Sequence, residues 1–225
     1  MLFRSKNSMK EIIPPTMDYI ESLSYESTFI FESSSKFGVL NTKGKVLLPA
    51  KYNFLKTTNL YDKDEWLMAN AYGDVTKNEY GTEVNGGNWG IINMNGDTIL
   101  PFKFKEIDFV NDSIANLLDY DGKAYLMNIN SMTTLTNPEA NYISQISYDW
   151  QNPTYLIGKD VVRGEYGDAT GGTYGLIDGT GKELIPFSYS EIKQEGDFYI
   201  ANSIDFNGFD LLSERSEEHT SELQS

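Results

Sequence analysis

Apolar positions along the chain fall in short paired runs and almost never recur at helical spacing. Val39 and Leu40 precede, and Val46, Leu47 and Leu48 follow, a polar step at 41–44. Ile91 and Ile92 precede the step at 93–96, with Ile99 and Leu100 after it; Leu176 and Ile177 precede the step at 178–181, with Leu184 and Ile185 after it. Apolar β-branched runs separated by a few residues that include glycine predict a hairpin. The glycine is expected at positive φ, in a type I turn followed by a bulge. Pro49, Pro101 and Pro186 close the second run, and because proline cannot donate to the ladder they are expected to end that strand. A third strand then alternates, with Phe102, Phe104, Glu106 and Phe109 set around Lys103, Lys105 and Asp108. A fourth, such as 66–71 or 155–158, leads back to the next glycine-containing strand. Short strands at roughly 8 to 12 residue spacing predict an all-β chain of small antiparallel meanders.

The meanders repeat. KFGVLNTKGKVLLP at 36–49, NWGIINMNGDTILP at 88–101 and TYGLIDGTGKELIP at 173–186 align without a gap. A decayed copy, KAYLMNINSMTTLT at 123–136, keeps Leu126, Met127, Asn128 and Leu135 but has Tyr125, Ser131 and Thr136 at the glycine, glycine and proline positions. A truncated copy opens the chain, where Ile12, Ile13 and Pro14 match Leu47, Leu48 and Pro49. Markers at Pro14, Pro49, Pro101, Thr136 and Pro186 give spacings of 35, 52, 35 and 50, so short and long units alternate. Units of this size suit propeller blades or solenoid coils. The expected architecture is one array over 1–214 of tandem antiparallel β-meander or hairpin repeats, either propeller-like or an open β-solenoid.

The shared pattern, aromatic-Gly-apolar-apolar-Asn/Asp followed by glycine and an Ile-Pro or Leu-Pro step, resembles the bacterial WG-repeat family, and Trp89-Gly90 is a literal Trp-Gly pair. The likeness extends over nearly all of 9–214. Phe37 and Tyr174 stand where the family has tryptophan, and 123–136 lacks both landmark residues. The resemblance implies tandem β repeats with interaction roles and no shared catalytic site. In this chain Phe37, Trp89 and Tyr174 are expected to fill core between repeats, and Gly38, Gly90 and Gly175 to allow a bulge or close strand packing.

The C-terminal RSEEHTSELQS at 215–225 resembles the in-frame translation of a common short-read sequencing adapter and is set aside from fold reasoning. It holds His219, the one histidine, so 1–214 offers no imidazole as base, switch or metal ligand. Without the tail, 17 basic and 30 acidic residues remain, a net of −13. Array logic predicts that both ends are cut within a repeat. Such acidity repels nucleic acid and anionic lipid surfaces. No stretch approaches the roughly 20 apolar residues of a spanning helix. With zero cysteine there are no disulfides, zinc-thiolate sites or cysteine nucleophiles. No feature assigns a compartment.

Binding chemistry is expected in two related insertions that lengthen the long units, 73–90 and 163–175. Glu79, Tyr80 and Gly81 recur as Glu165, Tyr166 and Gly167; Gly86 and Gly87 recur as Gly171 and Gly172. The tyrosines are candidate anchors, and the glycines are candidates for close backbone approach to a ligand. The partner class is a protein or a glycan, with no cofactor. The carboxylates Asp74, Glu79 and Glu83, and Asp160, Glu165 and Asp168, could bind calcium in an exported array, but they match no known calcium loop. Paired carboxylates could also serve a carbohydrate-active enzyme, with Glu79 and Glu165 as its candidates. No nucleophile elbow or phosphate loop accompanies them, so the reading is a non-enzymatic interaction protein. Asp119 to Gly122 reads as a hairpin turn.

Overall fold

A computed structural model describes residues 3–4, 11–13, 17–23, 28–79, 81–136, 139–147, 149, 152–164, 168–204 and 209–213, with backbone alone for 3–4, 11–13 and 209–213. Every regular element among the described residues is a strand, and all pairings are antiparallel. The chain divides into two compact units, Met1–Asp112 and Ser113–Ser225.

The first unit holds a short pair, β1 (Phe3–Arg4) and β2 (Glu11–Ile13), then a four-stranded meander of β3 (Tyr19–Ser22), β4 (Thr28–Ser33), β5 (Lys36–Asn41) and β6 (Val46–Tyr52). After it come β7 (Phe54–Thr57), β8 (Trp66–Ala71), β9 (Asp74–Asn78), β10 (Gly81–Asn85), β11 (Asn88–Asn93) and β12 (Thr98–Phe109). These are hydrogen-bonded in the order β7-β8-β11-β12, with β9 and β10 forming a separate two-stranded sheet. The second unit opens with β13 (Ile114–Asp119), β14 (Ala124–Asn128) and β15 (Thr133–Thr134), paired in sequence. Its remaining strands are β16 (Tyr142–Gln145), β17 (Thr154–Lys159), β18 (Val162–Arg163), β19 (Ala169–Thr170), β20 (Thr173–Asp178), β21 (Glu183–Glu195), β22 (Phe198–Ser203) and β23 (Phe209–Ser213). Six of them form the sheet β16-β17-β20-β21-β22-β23, and β18 pairs only with β19.

One turn is used throughout. Asn41 Oδ1 accepts from the amides of Lys43 and Lys45, both at 3.0 Å, while Gly44 donates to the Asn41 carbonyl at 2.9 Å with φ 75°. Asn93 does the same with Asn95, Asp97 and Gly96, and Asp178 with Thr180, Lys182 and Gly181. The Asp119 turn follows suit, joining β13 to β14 as its sequence predicts. An acceptor side chain that pins the turn amides, with a glycine that tolerates the left-handed region, fixes the register locally.

Asp178 makes its turn pH-sensitive. Burial works against the Asp178 charge, but donors from the Thr180 hydroxyl and amide and the Lys182 amide outweigh it and hold the carboxyl below its ordinary value of 3.8. A depressed folded pKa means stability present above the unfolded pKa and lost as pH falls through the folded one. Asn41 and Asn93 show that an amide serves the same turn. Asp178→Asn should therefore stay within about 1 kcal/mol of the parent at pH 7 and lose less stability between pH 5 and 3, read by thermal melts across that range. An unchanged acid slope would remove Asp178 from the account.

The prolines do not end their strands. Pro49 lies within β6, Pro101 within β12 and Pro186 within β21. Each occupies a bulge: Val39 faces Leu48 but Phe37 faces Tyr52, Ile91 faces Leu100 but Trp89 faces Phe104, and Leu176 faces Ile185 but Tyr174 faces Tyr189. Two extra residues enter the second strand at the same place each time, and bulges are where a sheet accepts proline. The bulged backbone crowds the glycine opposite, where a Cβ would lie 2.5 Å from the Leu48 carbonyl oxygen at Gly38, 2.8 Å from that of Leu100 at Gly90 and 2.6 Å from that of Ile185 at Gly175. In the decayed copy Tyr125 occupies the glycine position, the partner β15 is two residues long, and the Thr136 hydroxyl takes the Leu126 amide instead. Beyond its bulge β21 crosses to a new neighbour, pairing with β22 from Tyr189 to Glu195.

The residues on either side of each bulge supply core. Phe37 is buried and meets Phe54 edge-on at 5.2 Å; Phe54 meets Trp89 at 6.3 Å, and Tyr174 meets Tyr142 at 6.1 Å. The first unit packs Ile30, Val39, Leu48, Leu55, Leu67 and Ile92 together, and the second packs Leu176, Ile185, Ile192 and Tyr199.

Candidate functional site

Both insertions leave their sheet through a residue in the left-handed region. Tyr72 (φ 70°) starts the first and Asp160 (φ 58°) the second. For non-glycine residues this conformation is strained and needs support from its surroundings. The support is an asparagine from the preceding strand boundary. Asn53 Oδ1 accepts from the Tyr72 amide at 2.9 Å and from Lys36 Nζ at 2.9 Å, while its Nδ2 donates to the Gly73 carbonyl at 2.8 Å. Asn141 holds the second insertion just past Asp160, donating to the Val161 carbonyl at 2.8 Å and accepting from the Val161 amide at 3.1 Å.

The first insertion has a second clamp. Fully buried Asn70 accepts from the Gly73 amide at 3.0 Å and donates to the Gly86 carbonyl at 3.2 Å, joining the outgoing and returning chains. Between these anchors β9 and β10 pair from Asp74 opposite Asn85 to Asn78 opposite Gly81. Register puts Val75, Lys77, Thr82 and Val84 on one face, where both valines are half-buried. Lys77 pairs there with Glu32, a carboxylate with 10% side-chain exposure, and its Nζ lies 5.2 Å from the Tyr19 ring centroid and 5.5 Å from that of Phe37. The opposite face, Asp74, Thr76, Asn78, Gly81, Glu83 and Asn85, is exposed.

Glu79 is exposed at the hairpin tip next to Gly81, while Tyr80 lies outside the described residues. In the second insertion Val162 pairs with Thr170 and Arg163 with Ala169, and Gly164 donates to the Asp168 carbonyl at 2.8 Å. Arg163 donates to the Asn141 carbonyl and lies 5.6 Å over the Tyr142 ring. Glu165, Tyr166 and Gly167 lie outside the described residues. Among the described residues no group of three acidic or histidine side chains converges as a metal site.

The paired glycines divide their roles. A Cβ on Gly86 or Gly171 would meet nothing within 4 Å, whereas one on Gly87 would fall 2.2 Å from the Gly73 amide nitrogen and one on Gly172 2.4 Å from the Lys159 carbonyl oxygen. The close approach permitted at Gly87 and Gly172 is to the chain's own loop root. Gly81 also faces open space. The structure adds Asn53, Asn70 and Asn141 to the residues that matter for these loops. Asn53 and Asn141 are 88 positions apart, close to the period of the insertions, and that spacing was the available signal.

The model for WG containing repeats matches 37–58, 89–116 and 174–199. No curated protein matches the chain. Solved structures similar to it include the crystal structure of the eukaryotic initiation factor, at 11% identity and TM-score 0.40, covering 90% of this chain and 56% of that one. The C-terminal WD40 domain of Sif2 is similar at 13% identity and TM-score 0.35, covering 91% of this chain and 59% of that one. The computationally designed Ika8 protein is similar at 11% identity and TM-score 0.30, covering 91% of this chain and 74% of that one. This chain thus spans little more than half of the first of these. Each family match begins at the aromatic residue before a bulge glycine, Phe37, Trp89 or Tyr174, so the stretches matched are the bulged hairpins themselves. The chain is a WG-repeat protein.

Proposed function

We propose that this chain is a non-enzymatic interaction scaffold whose WG-type hairpins hold the insertions at 73–90 and 163–175 as partner-binding elements. The observation that carries the reading is the first insertion: a regular hairpin with an exposed polar face, fixed at its root by Asn53 and Asn70 and on its other face by Lys77. A rigidly held hairpin with an exposed polar face lowers the ordering cost of binding. Tyr72, 84% exposed although its backbone is held in a strained conformation, is an aromatic available to a protein partner at the root of this element. Glu79, Tyr80 and Gly81 form the tip contact, and Glu165, Tyr166 and Gly167 its counterpart in the second insertion.

Deleting 74–86 tests the reading. Glu32 would lose Lys77, so the deletion belongs in a Glu32→Gln background. The expected result is an unchanged β-type circular dichroism spectrum and cooperative melt, with loss of proteins that the Glu32→Gln parent retains in pull-down. Retention of the same proteins by the deletion variant would overturn the assignment.

A further inference from the structure

The sheet of the second unit carries a trough that the loop reading does not use. Two cavities of about 540 and 710 Å³ both touch Ile192 and Lys193, so they adjoin along β21. The first runs under the second insertion, from Asp168 and Gly171 over Tyr142, Leu156 and Tyr174 to Ser190, Glu191 and Asn202. The second continues past Gln194 toward Gln145, Ile146 and Ser147. Each volume falls in the range of small-ligand sites; the exposed lining of the first is mostly polar and that of the second mostly apolar.

We infer that this trough binds a neutral oligosaccharide. Charge decides against an anionic ligand: among the described lining residues Asp168, Glu191 and Glu195 outnumber Lys193, which is already paired with Glu191 at 2.7 Å, and nearby Arg163 is engaged by the Tyr142 ring and the Asn141 carbonyl. Backbone pairing decides against an added peptide strand on the floor, because β17, β20 and β21 each have hydrogen-bonded neighbours on both sides. A ligand there must be read by side chains, and those present are carboxylates, amides and a hydroxyl: Asp168, Glu191, Asn202, Gln194 and Ser190. Such groups both accept from and donate to sugar hydroxyls, and the exposed lining of the first cavity is mostly polar, which suits a ligand made of hydroxyls.

The test is calorimetric titration of the full chain with cellohexaose, xylohexaose, chitohexaose and maltohexaose, beside a polygalacturonate hexamer and a random-sequence hexapeptide pool. At least one neutral hexasaccharide should bind, with affinity reduced at least tenfold by Asp168→Asn and again by Glu191→Gln, and unaffected by deletion of 74–86 in the Glu32→Gln background. That last control separates the trough from the hairpin, so either reading can fail alone. No heat from any neutral sugar at millimolar concentration would overturn the inference. So would preference for the acidic hexamer or the peptides, or binding indifferent to Asp168→Asn. Asp168 lies on the exposed insertion, so its variant keeps the test valid if Glu191→Gln does not fold.

Discussion

Gly87→Ala is expected to lower stability by about 3 kcal/mol, whereas Gly86→Ala, one residue earlier, should cost only about 1. The two glycines have nearly the same backbone, φ 69° and 67°, so the left-handed penalty is common to both. What differs is space. At Gly86 an added methyl meets nothing within 4 Å; at Gly87 it meets the Gly73 nitrogen at 2.2 Å, the Ala71 oxygen at 2.6 Å and Asn70 Oδ1 at 2.6 Å. Two of those atoms are backbone, and the third belongs to the buried clamp that joins the two sides of the loop root. The methyl can be seated only by parting β8 from β11 at their ends or by dislodging Asn70. Urea denaturation followed by circular dichroism and tryptophan emission reads the difference. Equal effects at the two positions would show that backbone conformation alone, and not the packed root, sets the cost. Gly172→Ala and Gly171→Ala should repeat the contrast in the second unit, where the Lys159 oxygen is the obstacle at 2.4 Å.

How much of this was readable from sequence follows from how far apart the cooperating residues lie. The turns were legible because all their determinants sit within five residues: Asn41 supplies the acceptor and Gly44 the positive φ. The insertions were legible as a pair because duplication left Glu-Tyr-Gly and Gly-Gly in both. Proline was misread for a physical reason, since a missing N–H is equally tolerable at a strand end and in a bulge. Only the glycine eleven positions upstream distinguishes the two, because it leaves room for the displaced backbone. The loop clamps left only the 88-position spacing of Asn53 and Asn141 as a trace, because Asn53 acts on Tyr72 and Gly73 across 19 and 20 positions, and Lys77 meets Glu32 across 45. Those contacts exist only once the strands are paired. The trough is more distant still, since Tyr142, Asp168 and Asn202 become neighbours only through the order of strands in the sheet.

Gly38→Ala is the other substitution expected to be severe, at about 2 kcal/mol or more, and it probes the device that defines the repeat. No unusual φ is involved. The added methyl would lie 2.5 Å from the Leu48 carbonyl oxygen and 2.8 Å from the Ala50 nitrogen, atoms of the bulged strand that cannot swing aside as a side-chain end could. Relief requires flattening the bulge, and flattening it shifts the register by two residues. Because the shift is even, each side chain keeps its face but loses its partner, so Phe37 no longer lies opposite Tyr52. Exposed Pro49, in the same bulge, needs no such fit, and Pro49→Ala should cost about 1 kcal/mol or less, chiefly through freedom gained by the unfolded chain. The decayed repeat shows the end point: with Tyr125 at the glycine position, the following strand shrinks to Thr133–Thr134. If bulge and glycine are one device, Gly90→Ala and Gly175→Ala should match Gly38→Ala while the proline variants remain mild. A proline variant as costly as its glycine counterpart would show instead that the ring itself holds the bend.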